Sequence, residues 1–285
     1  MCVSLARCAL QRLRLPDVWA AGMTDLITSP ANPRYKLARS LLSRRGRYKH
    51  RRLLLEGVRL IDDSISAGFP PALVFFDAEA LGRQAGLDEL LKRATSSGAE
   101  VWALAPTLLA ELVETMSPQG VAAVGPWPGL QPGSQGLSVL VDGLQDPGNL
   151  GALLRTAAAA GADQVILLPG VTDAWAPRVL RAGMGAHYRL AIRQARGLAE
   201  AEAWIGQAQR LLAAAGAPEL YTEVDWTLPS LLIVGGEAHG ARVTAGWPGV
   251  HPIAIPMAAG VESLNAAMAA GVMLFEARRQ RGRND

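Results

Sequence analysis

The sequence predicts an α/β protein of two domains, the second built on a parallel sheet covered by helices on both faces. Three observations lead there. The chain has 285 residues, about two domains' worth at roughly 150 residues each. Short apolar runs alternate with stretches whose apolar residues recur at helical spacing, which is the pattern of βα units. A Pro- and Gly-rich stretch, Gly125 to Gly136, interrupts that alternation and predicts a linker. Half of the residues are hydrophobic and 19% are charged, so each domain has material for a core and the composition is not that of a disordered chain.

The elements follow in order. Asn32-Pro33 is a turn, and Tyr35 to His50 predicts one basic helix with Leu37, Leu41 and Leu42 on one face. Leu53 to Leu55 is a short strand. Val58 to Ala67 is helical, with Leu60, Ile61, Ser64 and Ile65 near i, i+3, i+4 spacing. Strands over Ala72–Phe76, Glu100–Leu104 and Val121–Val124 alternate with helices over Leu87–Ser97 and Leu108–Thr115. Beyond the linker, Ser138–Val141 is a strand and Leu150–Ala160 a helix that Gly161 ends. Gln164–Leu168 and Arg189–Ile192 are strands, with Pro177–Ala182 a helix between them. Leu198 to Ala215 predicts a long Ala-rich helix. Leu220–Val224, Leu231–Val234 and Ile253–Ile255 are strands, and Leu264–Arg281 is the last helix. The resulting division is an extension over 1–23, a first domain over 24–125, a linker over 126–136 and a second domain over 137–285.

Charge is distributed unevenly. The formal net charge is +3. Up to Arg52 there are 12 basic residues against Asp17 and Asp25, a net of +10, and the remaining 16 basic and 23 acidic residues give −7. A basic head on an acidic body suggests a polyanionic partner such as RNA, although a solvated basic helix face has the same composition. Cys2 and Cys8 are the two cysteines. They give no disulfide framework and no zinc knuckle, and they fit a reducing cytoplasm. His50, His187, His239 and His251 lack metal-ligand spacing, so no metal is expected. No uninterrupted apolar run reaches the roughly 18 residues of a membrane span. Met1 to Gly22 is poor in acids and lacks the compact apolar run of a secretory signal. It is read as a flexible extension ahead of a start at Met23.

Three segments stand at the carboxyl ends of strands, where open α/β sheets bind ligands. The first is Asp146-Pro147-Gly148-Asn149, with Asn149 as the expected N-cap of a helix that carries Arg155 about 140° around from the core residue Leu150. The second is Gly235-Gly236-Glu237-Ala238-His239-Gly240. Its glycines permit close backbone approach or positive φ, and it matches neither the phosphate-loop nor the dinucleotide fingerprint. The third is Ile255-Pro256-Met257, an irregular loop, then Glu262-Ser263-Leu264-Asn265 at a helix start, with Ser263 as the expected cap. Each segment alone also suits an ordinary strand-to-helix turn.

In this order and at these strand ends, the three segments resemble those of the SpoU (TrmH-like) branch of the SPOUT RNA methyltransferases. Arg181 to Arg189 resembles the family's stretch between its first two motifs. Ile27-Thr28-Ser29, Asn32-Pro33-Arg34, Lys36 and Leu55-Glu56-Gly57-Val58-Arg59 resemble its N-terminal substrate-binding domain. The resemblance implies transfer of a methyl group from S-adenosylmethionine to a ribose 2′-hydroxyl, a deep trefoil knot in the C-terminal domain, and a homodimer formed through the knot region. It implies Arg155, Asn149, Glu237, Ser263 and Asn265 as catalytic residues. It implies a cofactor site at Gly235, Gly236, Ile255, Met257 and Leu264. RNA contacts are expected from Arg34, Lys36, Arg39, Arg44, Arg45, Arg47, Lys49, Arg51 and Arg59. Ribosomal RNA is the expected substrate, with tRNA or a catalytically silent RNA-binding assembly factor as alternatives. A nucleotide-binding oxidoreductase is disfavoured by the missing glycine fingerprint.

Overall fold

The computed structural model describes residues 24–115, 119–236 and 240–282. The chain divides into two compact units between Trp127 and Pro128. The extension expected over residues 1–23 lies outside the described residues.

The first unit is a mixed five-stranded sheet with helices packed on it. Its strands are β1 (Thr24–Ile27), β2 (Arg52–Glu56), β3 (Leu73–Phe76), β4 (Glu100–Leu104) and β5 (Val121–Pro126). They lie in the order β1-β4-β3-β5-β2. β1, β4 and β3 run parallel, whereas β5 is antiparallel to both β3 and β2. The sequence pattern does not single out β1 as a strand; its pairing with β4 is what orders it. The helices are α1 (Pro33–Ser40), α2 (Arg44–His50), α3 (Val58–Ser66), α4 (Leu87–Ser96) and α5 (Pro106–Ala110). Tyr35, Ala38, Leu41, Leu54, Phe75 and Leu104 form the heart of one core cluster.

The expected single basic helix over Tyr35–His50 is two helices. The Ser43 hydroxyl accepts from the Gly46 amide at 3.0 Å and caps α2, as a serine at that position should. Arg47 then turns inward. It is 3% exposed, and its Nη1 donates to the carbonyls of Leu41 (2.8 Å) and Leu42 (2.7 Å), which α1 leaves unpaired as it ends. Arg47 is therefore a staple between two helices, which corrects its assignment to the RNA-contacting surface.

The second unit carries a seven-stranded sheet, parallel throughout, as the alternation of strand and helix predicts. Its strands are β6 (Leu137–Asp142), β7 (Gln164–Leu167), β8 (Ala191–Gln194), β9 (Gln209–Ala213), β10 (Glu219–Leu220), β11 (Ser230–Gly235) and β12 (Val250–Ala254), in the order β10-β12-β9-β11-β6-β7-β8. Its helices are α6 (Pro147–Ala160), α7 (Pro177–Gly183), α8 (Leu198–Ile205) and α9 (Ala266–Gln280). Leu140, Ile166, Leu231 and Ile233 lie at the centre of one core cluster of this unit.

One expected element changes type. The helix over Leu198–Ala215 stops at Ile205. Gly206, at φ 58° and ψ −134°, breaks it, in a region of backbone space that favours glycine. Gln209–Ala213 then enters the sheet between β12 and β11. Alanine-rich sequence favours helix locally, but pairing on both sides with buried Leu211 outweighs that preference. The strand expected over Leu220–Val224 shortens to β10, because Trp226 is buried and its Nε1 donates to the Tyr221 carbonyl at 2.8 Å, folding the chain into a turn.

Buried His187 sets a pH limit on this unit. Its Nε2 donates to the Ala174 carbonyl at 2.8 Å, and burial, the dominant effect, pushes its pKa down from 6.5 to about 4. The unfolded chain takes up this proton near pH 6.5, the folded chain only near pH 4, so the stabilisation is full above 6.5 and is lost as pH falls towards 4. Its extent is about 3 kcal/mol. Urea midpoints measured at pH 7 and pH 5 should differ, and His187→Gln should flatten that difference. An unchanged pH slope in the variant would remove His187 as its source.

Candidate functional site

The three strand-end segments converge in the second unit. A cavity of about 360 Å³ opens at the carboxyl ends of β9, β11 and β12, beside the start of α9. Such a volume falls in the ordinary range for small-molecule sites. Gly235, Gly236, Ile255, Met257 and Leu264, the five residues expected to hold a cofactor, all line it, and so do Ser263 and Asn265. Ala213 to Ala215, at the end of β9 and just beyond it, complete the wall. The sequence pattern hides them, because an alanine-rich stretch reads as helix. The lining is chiefly alanine, glycine, Met273 and branched aliphatic residues. An adenine ring and a methionine-like chain suit such a wall: apolar surface around the ring, with main-chain groups at the strand ends to meet its polar edge.

The glycines at the end of β11 are required by the backbone, at negative φ. A Cβ on Gly236 would lie 2.4 Å from the Gly143 carbonyl oxygen, and one on Gly235 would lie 2.4 Å from the Ala241 nitrogen. The chain therefore passes directly over the loop that follows β6. Gly236 and Gly240 exchange two main-chain hydrogen bonds, at 3.0 and 2.9 Å, and close the intervening loop. Glu237 lies in that loop, outside the described residues. A second tie fixes the next segment: the buried Asp142 carboxylate accepts from the Val243 and Thr244 amides, at 2.8 and 2.9 Å, and from the Thr244 hydroxyl at 3.0 Å.

The capping pattern differs from expectation in a way that matters for the site. Asp146, not Asn149, caps α6, accepting from the Asn149 amide at 2.8 Å, and Pro147 takes the first helical position. The Asn149 side chain is thereby released from capping. Asn265, not Ser263, caps α9 through Oδ1, which accepts from the Ala267 and Met268 amides. The Asn265 amide group then donates to Asn149 Oδ1 at 3.0 Å. This bond joins the first and third segments, which lie 116 residues apart. It also fixes which end of each amide faces the other. Arg155 sits on α6, about 9 Å along the axis from Asn149. It does not line the cavity. Its side chain is exposed, and no hydrogen bond or ion pair ties it to another described residue.

The basic residues of the first unit fall into distinct groups. Arg34 pairs with Glu100 at 2.7 Å and Arg39 with Glu111 at 2.8 Å, so neutralising partners already occupy both. Lys36, Arg44, Arg45, Lys49, Arg51 and Arg59 are exposed and have no carboxylate partner among the described residues. Arg59 follows β2, whereas α2 and Arg51 precede it, so these cations lie towards two different edges of the sheet. Among the described residues, no group of three or more His, Cys, Asp or Glu side chains could hold a metal ion. None of the described helices is long and apolar enough to cross a membrane.

Comparison with known proteins agrees with this geometry. Residues 136–275 match the model of the SpoU rRNA methylase family, and residues 32–123 match an MRM3-like substrate-binding domain. The chain is 35% identical to an uncharacterized tRNA/rRNA methyltransferase of Synechocystis sp., over 89% of this chain and 93% of the relative. It is 32% identical to a 23S rRNA uridine 2′-O-methyltransferase of Streptomyces viridochromogenes, over 88% and 91%. The crystal structure of the SpoU methyltransferase AviRb from that organism, in complex with AdoMet, superimposes with a TM-score of 0.77 at 28% identity, covering 89% of this chain and all of that one. With 93% of the Synechocystis relative covered at 35% identity, the chain belongs to the SpoU rRNA methylase family.

Proposed function

We propose that this protein methylates a ribose 2′-hydroxyl of ribosomal RNA, using S-adenosylmethionine. The observation that carries the reading is the convergence of the second and third segments on one cavity, with the first segment tied to the third by the Asn149–Asn265 bond. When bound, S-adenosylmethionine supplies an electrophilic methyl group. Gly235, Gly236, Ile255, Met257 and Leu264 hold it through main-chain groups and apolar contacts. Asn265 orients Asn149 beside the site, and Ser263 adds a polar group to its lining. The assignment of Glu237 to the site rests on the motif.

Arg155 works on the substrate. A guanidinium stays protonated under all ordinary conditions, which makes it a poor base and a good anion clamp. With no partner among the described residues, Arg155 can grip a phosphate beside the target ribose and stabilise negative charge that develops on the 2′-oxygen. Held in line with the methyl donor, the hydroxyl then gains the advantage of position.

The rest of the molecule fits the same task. Lys36, Arg44, Arg45, Lys49, Arg51 and Arg59 supply phosphate contacts in the RNA-binding domain. The trefoil knot of the family belongs to the proposal, on the match of residues 136–275 to that family. So does the homodimer: Met268 (68% exposed), Val272 (39%) and Phe275 (49%) form an apolar stripe at i, i+4, i+7 on α9, a pattern suited to burial against a second copy. The cytoplasm is the proposed setting, on the two-cysteine composition.

Four outcomes test these assignments. With labelled S-adenosylmethionine and total RNA, label should enter ribosomal RNA as a 2′-O-methyl nucleotide. Arg155→Ala should cut that transfer by roughly a hundredfold or more, with cofactor binding by calorimetry retained. Label in tRNA would reassign the substrate, and full turnover by the variant would remove Arg155 from catalysis. The double variant Lys36→Glu, Arg45→Glu should bind RNA more weakly and with a shallower dependence on salt, by about 0.7–0.9 in log–log slope for each phosphate that is no longer neutralised. An unchanged slope would clear both residues of any role at phosphates. Sedimentation should show a dimer that Phe275→Lys dissociates; a monomeric wild type would refute the α9 interface.

A further inference from the structure

Two of the phosphate-contact arginines of the first unit lie against aromatic rings that the phosphate-contact reading does not use. Arg44 lies over the ring of Tyr48, with its guanidinium carbon 5.1 Å from the centroid. Tyr48 meets Trp127 edge to face, with centroids 5.0 Å apart and planes at 73°. Arg51 lies over Trp127 at 4.6 Å. Several features of the fold build this arrangement. Arg44 and Tyr48 are i and i+4 on α2, hence on one face. The buried staple of Arg47 fixes that helix. Arg52 pairs antiparallel with Pro126, which brings the preceding Arg51 opposite the following Trp127. Arg51 reaches its ring from a left-handed backbone, φ 50°, at a helix end where glycine is the usual residue. A side chain kept at a conformationally unfavourable position is a mark of a role beyond packing.

A second cation–aromatic pair in the same unit shows what a purely structural version looks like. Arg34 lies over Trp102 at 4.3 Å, and Glu100 accepts from Arg34 and from the Trp102 Nε1. There the charge is neutralised within the pair. In the Arg44–Tyr48–Trp127–Arg51 cluster two guanidinium groups share two half-buried rings, exposed Lys49 stands next to Tyr48 in the chain, and no carboxylate pairs with any of these cations among the described residues. Like charges gathered without an anion call for one from outside. Aromatic faces flanked by arginine are the recognition elements of unpaired nucleotides, whose bases stack on rings while their phosphates meet the cations. In a duplex the bases are already stacked on each other and such faces find no partner.

We propose that Tyr48 and Trp127, with Arg44 and Arg51, form a stacking platform for an unpaired nucleotide of the RNA substrate. The proposal rests on the RNA-binding reading above and narrows it to single-stranded or looped RNA. On binding, a base takes the ring face on which Arg51 or Arg44 lies, and the displaced guanidinium moves to the adjoining phosphate. Because every base has a π face, the platform selects for strandedness and tolerates any base.

The test uses the full chain and two fluorescein-labelled probes at one salt concentration, an oligouridylate and a blunt RNA duplex of equal length. Trp127→Leu should weaken oligouridylate binding roughly tenfold and leave duplex binding within about twofold. Trp127→Phe, which keeps a ring, should recover most of that affinity. Both variants should melt with the wild type. Should Trp127→Leu fail to fold, Tyr48→Leu makes the same comparison. Equal weakening on the two probes, or none on either, would overturn the platform while leaving RNA binding intact. A wild type that binds neither probe would overturn the RNA reading and the platform with it.

Discussion

Gly236 lies so close to the Gly143 carbonyl that a methyl group could not fit between them. The rest of the catalytic unit depends on this contact. It requires β11 and the loop after β6 to meet backbone to backbone, although they are neighbours only in the sheet and distant in the chain. Once they meet, the Asp142 carboxylate is positioned to receive the Val243 and Thr244 amides. The following strand, β12, is set beside β9. From its end the chain returns to α6 through Asn265. The cavity is the space enclosed by these passages. Its walls are short side chains and main chain because larger groups would prevent the close crossings that create it.

The site divides its tasks between rigid and free groups. Asn265 is fully specified: it uses its oxygen as a helix cap and its amide on Asn149. Such a pair has one orientation, which is what a positioning element needs. Arg155 is the opposite case, exposed on a helix whose other side is buried at Leu150, Leu153 and Leu154. The helix supplies its base, and in the proposed function the substrate supplies its partner. The basic domain repeats this division. Arg47 is buried and structural, Arg34 and Arg39 are paired, and among the described residues the cations without a carboxylate partner include those around the Tyr48 and Trp127 rings and Lys36, Arg45 and Arg59.

Much of this is legible in the chain. Strand–helix alternation predicts the parallel sheet, and the pattern places Gly235 and Ile255 at strand ends and Leu264 at a helix start, where they line one cavity. Local rules fail where two candidates compete for one role. Asp146 and Asn149 are both good N-caps, as are Ser263 and Asn265, and spacing alone does not choose between them. The tertiary structure makes the choice: Asp146 and Asn265 take the capping roles, and the Asn265 amide also binds Asn149. Similarly, nothing local distinguishes Arg47 from Arg44 or Arg45. The distinction appears only when α1 ends with the Leu41 and Leu42 carbonyls pointing at the space Arg47 can fill.

The order of apolar periodicities, the glycines and the three polar segments were enough to specify the α/β class, the strand-end chemistry and the family. These are properties of residue type and spacing, and short-range sterics and burial act on them directly. Tertiary structure decided the fate of Gln209–Ala213, whose residue types favour a helix and whose position between β12 and β11 makes them a strand. It also decided which arginines face solvent and which asparagine holds the other. The physical reason is common to all three. Backbone pairing, burial and side-chain hydrogen bonds between distant segments each outweigh the few tenths of a kcal/mol per residue by which local preferences differ.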